Sequence, residues 1–178
     1  GNFSLINLAF QRCYLNDENT KTYFKQLFNT QNSGDHSRYI FFYLNYLIEN
    51  NEYEEVKNIS RNLDYLSSSL LISQSKKWIE DEKLEEFKKI FLCSNSNDII
   101  SEFFFLVSNL YLSKKNYEKS NFYLNISHYL NPKFKFNLSL LAENYYSNQN
   151  YSKTLKILEP FDKNDELYHW FKLKKKAQ

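Results

Sequence analysis

Apolar residues recur along this chain at helical spacing from one end to the other, in runs separated by short polar turns. Residues 3–15 place Phe3, Ile6, Phe10, Cys13 and Tyr14 on one face, the spacing of an amphipathic helix. Asn16 and Asp17 make a polar turn, and Asp17 is placed to cap the next helix. That helix, over 18–30, carries the stripe Tyr23, Phe24, Leu27 and Phe28. A polar loop at 31–36 holds Gly34, with Asp35 or Ser37 as the cap for a helix over 37–50. Asn51-Glu52-Tyr53 then turns the chain into a helix over 52–63, striped by Tyr53, Val56, Ile59 and Leu63.

From Leu66 to about Cys93 the pattern repeats. One helix holds Leu70, Leu71, Ser75, Trp78 and Ile79, and a second over 82–92 holds Leu84, Phe87, Ile90 and Phe91. A polar loop at 94–98 ends in Asp98 as a helix cap. Over 101–164 the same pattern is then written twice: an apolar run ending in Tyr111 or Tyr145, a polar turn carrying Asn-Tyr, and a second helical run. Asn131-Pro132 stops the first copy, because proline lacks a backbone donor and pushes the preceding residue out of the α region. Pro160 shortens the second helix of the other copy to about 150–159. A last helix over 165–176 has Leu167, Tyr168, Trp170 and Phe171 on one side and a lysine-rich end, which suits the helix dipole.

The turn positions set a period. Tyr117 and Tyr151 are 34 residues apart, while the steps Tyr53–Leu84 and Leu84–Tyr117 are 31 and 33. With Tyr117 at the turn-tyrosine position, the unit from Ser101 has Phe104 at repeat position four, Ser108 at eight, Tyr111 at eleven, Ser120 and Ser127 at twenty and twenty-seven, and Pro132 at thirty-two. The next unit has Leu138, Ala142, Tyr145, Tyr151 and Thr154, then departs with Phe161. This resembles the tetratricopeptide repeat family, whose signature is a helix–turn–helix of that length. The match is close over 101–164 and looser over 37–93. There Ile40 and Tyr53 are kept beside Leu44 and Val56, and Ser75 beside Trp78. It is weakest over 1–36. The whole is similar to the divergent repeat proteins common in bacterial genomes.

The resemblance implies an all-α fold: a right-handed superhelical solenoid of antiparallel helix hairpins, about five hairpins plus a C-terminal capping helix. The units would be approximately 1–33, 34–65, 66–97, 98–132 and 133–163, with the cap at 164–178, in one domain over 1–178. Small residues at the repeat positions permit close helix approach, and larger ones would overpack a hairpin by about 1–3 kcal/mol.

Composition agrees with long helices and short turns, since only 2 of 178 residues are Gly and 2 are Pro. Aromatics make up 19% of the chain, so rings must build the core. A mean hydropathy of −0.65 comes from polar exposed faces, because the apolar periodicity never lapses. A net charge of +2 is too balanced to imply a nucleic-acid or anionic-membrane partner. No run of 18 apolar residues is present to span a membrane. Gly1 in a chain without Met is read as a tag remnant or the product of an upstream cut. Cys13 and Cys93, 80 positions apart, are read as buried small hydrophobes, with a disulfide unsupported by spacing alone.

The residues show little catalytic equipment. His36, His128 and His169 are isolated, and no His-Glu-x-x-His, paired cysteines or nucleophile elbow occurs. With two glycines a phosphate-cradling loop is excluded. No cofactor or metal is expected, and the carboxylates at 49–55 and 80–86 are read as surface charge paired with lysines. Asn-x-Ser triplets such as those at Asn2, Asn58, Asn125 and Asn137 are read as chance in so Asn-rich a chain.

Function is therefore expected to be binding: a non-enzymatic scaffold for a peptide or helix of a partner protein. In the family the first helices of the hairpins line a concave groove. Here the corresponding positions include Arg38, Phe41 and Asn45, then Ile72 and Lys76, then Phe105 and Asn109, and finally Phe136, Glu143 and Tyr146. The cations by which chaperone-binding members clamp a carboxylate are missing, because position five is Phe41, Ile72, Phe105 and Ser139. These positions admit two readings. They form an apolar, aromatic peptide groove, or they pack between hairpins and against the protein's own flanking helices. The alternative functions are an RNA-binding helical-hairpin repeat of pentatricopeptide type, against which the balanced charge and Pro132 stand, and a regulatory repeat region of a larger enzyme.

Overall fold

A computed structural model of the chain describes residues 2–29, 37–63, 69–163 and 165–178. The loop expected at 31–36, with Gly34, Asp35 and His36, lies outside the described residues. Among the described residues every regular element is an α-helix. No described helix is long and apolar enough to cross a membrane. The chain divides into two compact units, Gly1–Ile99 and Ile100–Gln178.

In the first unit, α1 (Asn2–Tyr14), α2 (Thr20–Asn29), α3 (Ser37–Glu49), α4 (Tyr53–Arg61), α5 (Leu70–Glu80) and α6 (Glu85–Ile90) pack mainly around α3. The reason is in the sequence of α3, which is apolar on nearly all sides; Phe41, Phe42, Tyr43, Leu44, Leu47 and Ile48 are all buried. Rings fill this centre. Phe42 meets Phe10 edge-on at 4.8 Å and Phe91 at 4.6 Å, and Phe41 stacks on Phe87 at 5.5 Å. Each such pair adds about 0.5–1.5 kcal/mol beyond its area burial.

In the second unit, α7 (Ser96–Leu112) is followed by α8 (Tyr117–Leu130), α9 (Phe136–Ser147), α10 (Tyr151–Leu158) and α11 (Glu166–Ala177). Tyr123 of α8 stacks between Phe104 and Tyr111 of α7, at 6.0 and 5.4 Å. The small positions are enclosed: Ser108, Ser120, Ser127, Ala142 and Thr154 are all buried. So is Phe161, which takes a small residue's place and packs on Tyr168 and Phe171 of α11.

One backbone motif closes the hairpin turns in both units. Asn16, Asn51, Glu82, Lys115 and Gln149 all sit in the left-handed region, with φ between 52° and 60°. In each case the following N–H donates to the carbonyl five residues back, as Lys83 does to Trp78 and Asn116 to Tyr111, over 2.7–3.0 Å. This is the Schellman termination, which satisfies carbonyls that a helix end leaves open. It normally takes glycine, and none of the five is glycine. Asn116 and Asn150 then cap the next helix, accepting from the Lys119 and Lys153 amides at 3.1 and 3.2 Å.

Two local expectations are corrected. The second helix of the third hairpin stops at Ile90 rather than running to 92. Phe91 is extended (φ −150°, ψ 138°), and side chains take over the backbone groups that a helix would have paired. Asn45 donates to the Phe91 carbonyl (2.9 Å), while Glu49 and Asp98 accept from the Cys93 and Leu92 amides at 3.3 and 3.0 Å. Asp98 therefore points back at this strap instead of capping α7, and Asn95 accepts from the Asn97 amide (3.0 Å). The strap also explains the second correction. Cys93 reaches Cys13 of α1 and the two form a disulfide across a Cα–Cα distance of 5.3 Å.

Candidate functional site

The residues aligned with a peptide groove are placed unevenly. In the first unit Arg38, Phe41, Asn45 and Ile72 are buried, at 4%, 0%, 0% and 2% exposure. Phe41 is part of the ring core, and Arg38 lies 5.5 Å from the Phe42 ring centre. Asn45 spends its amide on Glu49 and Phe91. These side chains present no surface to a ligand. Lys76 differs: it is half-buried, and its Nζ donates to the Leu63 carbonyl at 2.9 Å.

In the second unit Phe105 and Phe136 are buried and Asn109 is half-buried. Glu143 and Tyr146, one turn apart on α9, are brought together by α11. Lys175 pairs with Glu143 at 2.8 Å and lies 4.4 Å from the Tyr146 ring centre. Tyr146 also meets Tyr151 edge-on at 5.5 Å. Tyr146, Tyr151, Leu155, Lys175 and Lys176 line a cavity of about 210 Å³, and Glu143 is not part of its lining. Two tyrosine rings, the Glu143-paired Lys175 and Lys176 share its lining, so it suits a side chain that combines an apolar body with a negative or hydrogen-bonding end.

The chain matches no family model, no curated protein and no solved structure.

Sequence reasoning did not find a cleft between α4 and the α5–α6 turn. Tyr53, Val56, Ile79 and Leu84 line one end, of about 260 Å³. Lys57, Ser60, Arg61 and Lys76 line the other, of about 440 Å³, and Lys57 and Ile79 belong to both. Two carboxylates are present, Glu80 at the cationic end and Glu82 at the apolar end. The i, i+4 spacing of Lys57 and Arg61 was legible; that Lys76 would face them from another helix was not.

An electrostatic cluster joins α2, α3 and α4. Lys21 pairs with Glu52 and with Glu55 (2.6 Å), Lys25 pairs with Glu55 (3.1 Å), and the Tyr43 hydroxyl donates to Glu55 (2.7 Å). Burial alone would raise the Glu55 pKa, but hydrogen bonds from Lys21, Tyr43 and Lys25 outweigh it and hold it at about 2. Burial, then the bond to Glu55, pushes the Tyr43 hydroxyl well above its usual range. These bonds tie three helices together. Beside the disulfide strap, Glu49 is pushed upward, chiefly by burial. Among the described residues no group of three His, Cys, Asp or Glu side chains could hold a metal ion. His128 is half-buried, and burial lowers its pKa.

Proposed function

We propose that this chain is a tetratricopeptide-like repeat scaffold that binds a peptide or helix of a partner protein and carries out no chemistry of its own. The observation that carries this reading is the aromatic cavity of the second unit. It includes Tyr146, a position at which the repeat family contacts peptides, in half-exposed form beside Tyr151 and Leu155, which are 56% and 46% exposed. Exposed aromatic and aliphatic side chains around a cationic rim are what a peptide anchor requires. The recurring Schellman turns with Asn caps support a repeat architecture, because each hairpin is closed by the same local device. The disulfide supports an exported location, since such bonds persist in oxidising compartments.

The test is selection from a random peptide display library on the oxidised chain. A selected peptide should bind the wild type and lose at least about tenfold in affinity to Tyr146→Glu/Leu155→Glu, with helical circular dichroism unchanged. Failure to select any peptide, or equal binding to that variant, would overturn the reading.

A further inference from the structure

We propose that the cleft between α4 and the α5–α6 turn is a binding site for an amphiphilic organic anion, a ligand with an apolar body and a single carboxylate or phosphate head. Among the described residues the Lys57 and Arg61 side chains have no ion-pair or hydrogen-bond partner. They stand one turn apart on α4, where like charges repel and destabilise a helix. Lys76 adds a third positive charge from α5, and its bond to the Leu63 carbonyl fixes it in place. Glu80 offsets one of the three. An anionic head placed among them relieves repulsion that the fold itself leaves standing.

The apolar end decides the rest of the ligand. Val56 and Ile79 are buried beneath it, while Tyr53 is 37% exposed and Leu84 is half-buried, so the apolar surface open to a ligand is that of Tyr53 and Leu84. Because Lys57 and Ile79 border both ends, a single molecule can span them. Inorganic phosphate would satisfy the cations and leave the apolar wall wet. A neutral alkyl chain would cover the wall and leave Lys57 and Arg61 unpaired. Glu82 stands at the apolar end, so a ligand charged negatively at both ends is repelled there. The site thus selects one head and one tail.

The experiment is calorimetric titration of the oxidised full chain at low salt with decanoate, decyl phosphate, decanol, decanedioate and inorganic phosphate, each below its micelle concentration. Decanoate or decyl phosphate should bind one to one, and the tighter of the two identifies the head. Decanol, decanedioate and inorganic phosphate should each be at least about tenfold weaker, and shortening the tail should weaken binding. Lys57→Gln/Arg61→Gln should weaken binding by about tenfold or more. Both side chains are exposed and unpaired, so the fold should survive. Lys114→Gln/Lys133→Gln, which removes the same charge from exposed positions in the second unit, should leave binding unchanged. Equal binding of decanol and decanoate, or full binding by Lys57→Gln/Arg61→Gln, would overturn the proposal as non-specific adsorption. Neither result bears on the peptide cavity, which lies on other residues.

Discussion

Removing the Cys13–Cys93 bond is expected to cost the chain much of its stability. The bond closes a loop of 80 residues. In the chain-entropy account a loop of that length restricts the unfolded state by about 4–5 kcal/mol. A protein of this size has roughly 5–15 kcal/mol in total. For a unit of this size a loss of that order lowers the melting temperature by about 15–30 °C. The native strap should hold its place when the bond is cut, because Asn45, Glu49 and Asp98 still bind residues 91–93. The effect should therefore fall on the unfolded state. Urea unfolding of the oxidised chain, the reduced chain and Cys13→Ala/Cys93→Ala measures it, and the reduced chain should also show a steeper denaturant dependence as its unfolded state expands. The alanine variant separates lost sulfur packing from the lost cross-link. A difference below about 1 kcal/mol between oxidised and reduced protein would refute the reasoning, as would two thiols titrating in the unreduced native protein.

Three further outcomes are expected. Glu55→Gln should lower stability at neutral pH by about 1–2 kcal/mol, discounted for partial exposure. Because the folded pKa lies near 2 and the unfolded value near 4.5, the wild-type advantage is complete above the unfolded value and is lost as pH falls toward 2; acid titration of unfolding should show that slope in the wild type and not in the variant. Lys115→Gly should raise stability by about 1 kcal/mol, since the left-handed position at φ 56° strains any side chain, and thermal unfolding reads it. Asn144→Ala should cost about 1–3 kcal/mol. Its amide donates to Ser120 Oγ and Asn121 Oδ1, both at 3.0 Å, and a double-mutant cycle with Ser120→Ala should show coupling between the two.

Much of the local structure was legible. The first helix was expected over 3–15 and spans Asn2–Tyr14, and the short helix before Pro160 was expected over 150–159 and spans Tyr151–Leu158. Pro132 follows the end of α8 as its missing donor requires. The strap at 91–93 was not legible, because Ile90, Phe91 and Leu92 continue an apolar run and propensity alone favours more helix. Three side chains from elsewhere in the fold, Asn45, Glu49 and Asp98, decide otherwise. The buried Asn144 was equally hidden, since asparagine on a helix reads as surface until a partner such as Ser120 is placed opposite.

The sequence by itself determined most of the helices and their turns, because these depend on periodicity, caps and breakers within a few residues. Tertiary structure alone decided what is accessible. Phe41 aligns with a groove position, yet it is enclosed because α3 has neighbours on nearly every side. Cys13 meets Cys93 only because the strap folds back on α1, and Lys57 and Arg61 share a cleft with Lys76 only because α4 and α5 lie side by side. Spacing along one helix reports which residues share a face; it carries no information about what stands across from that face.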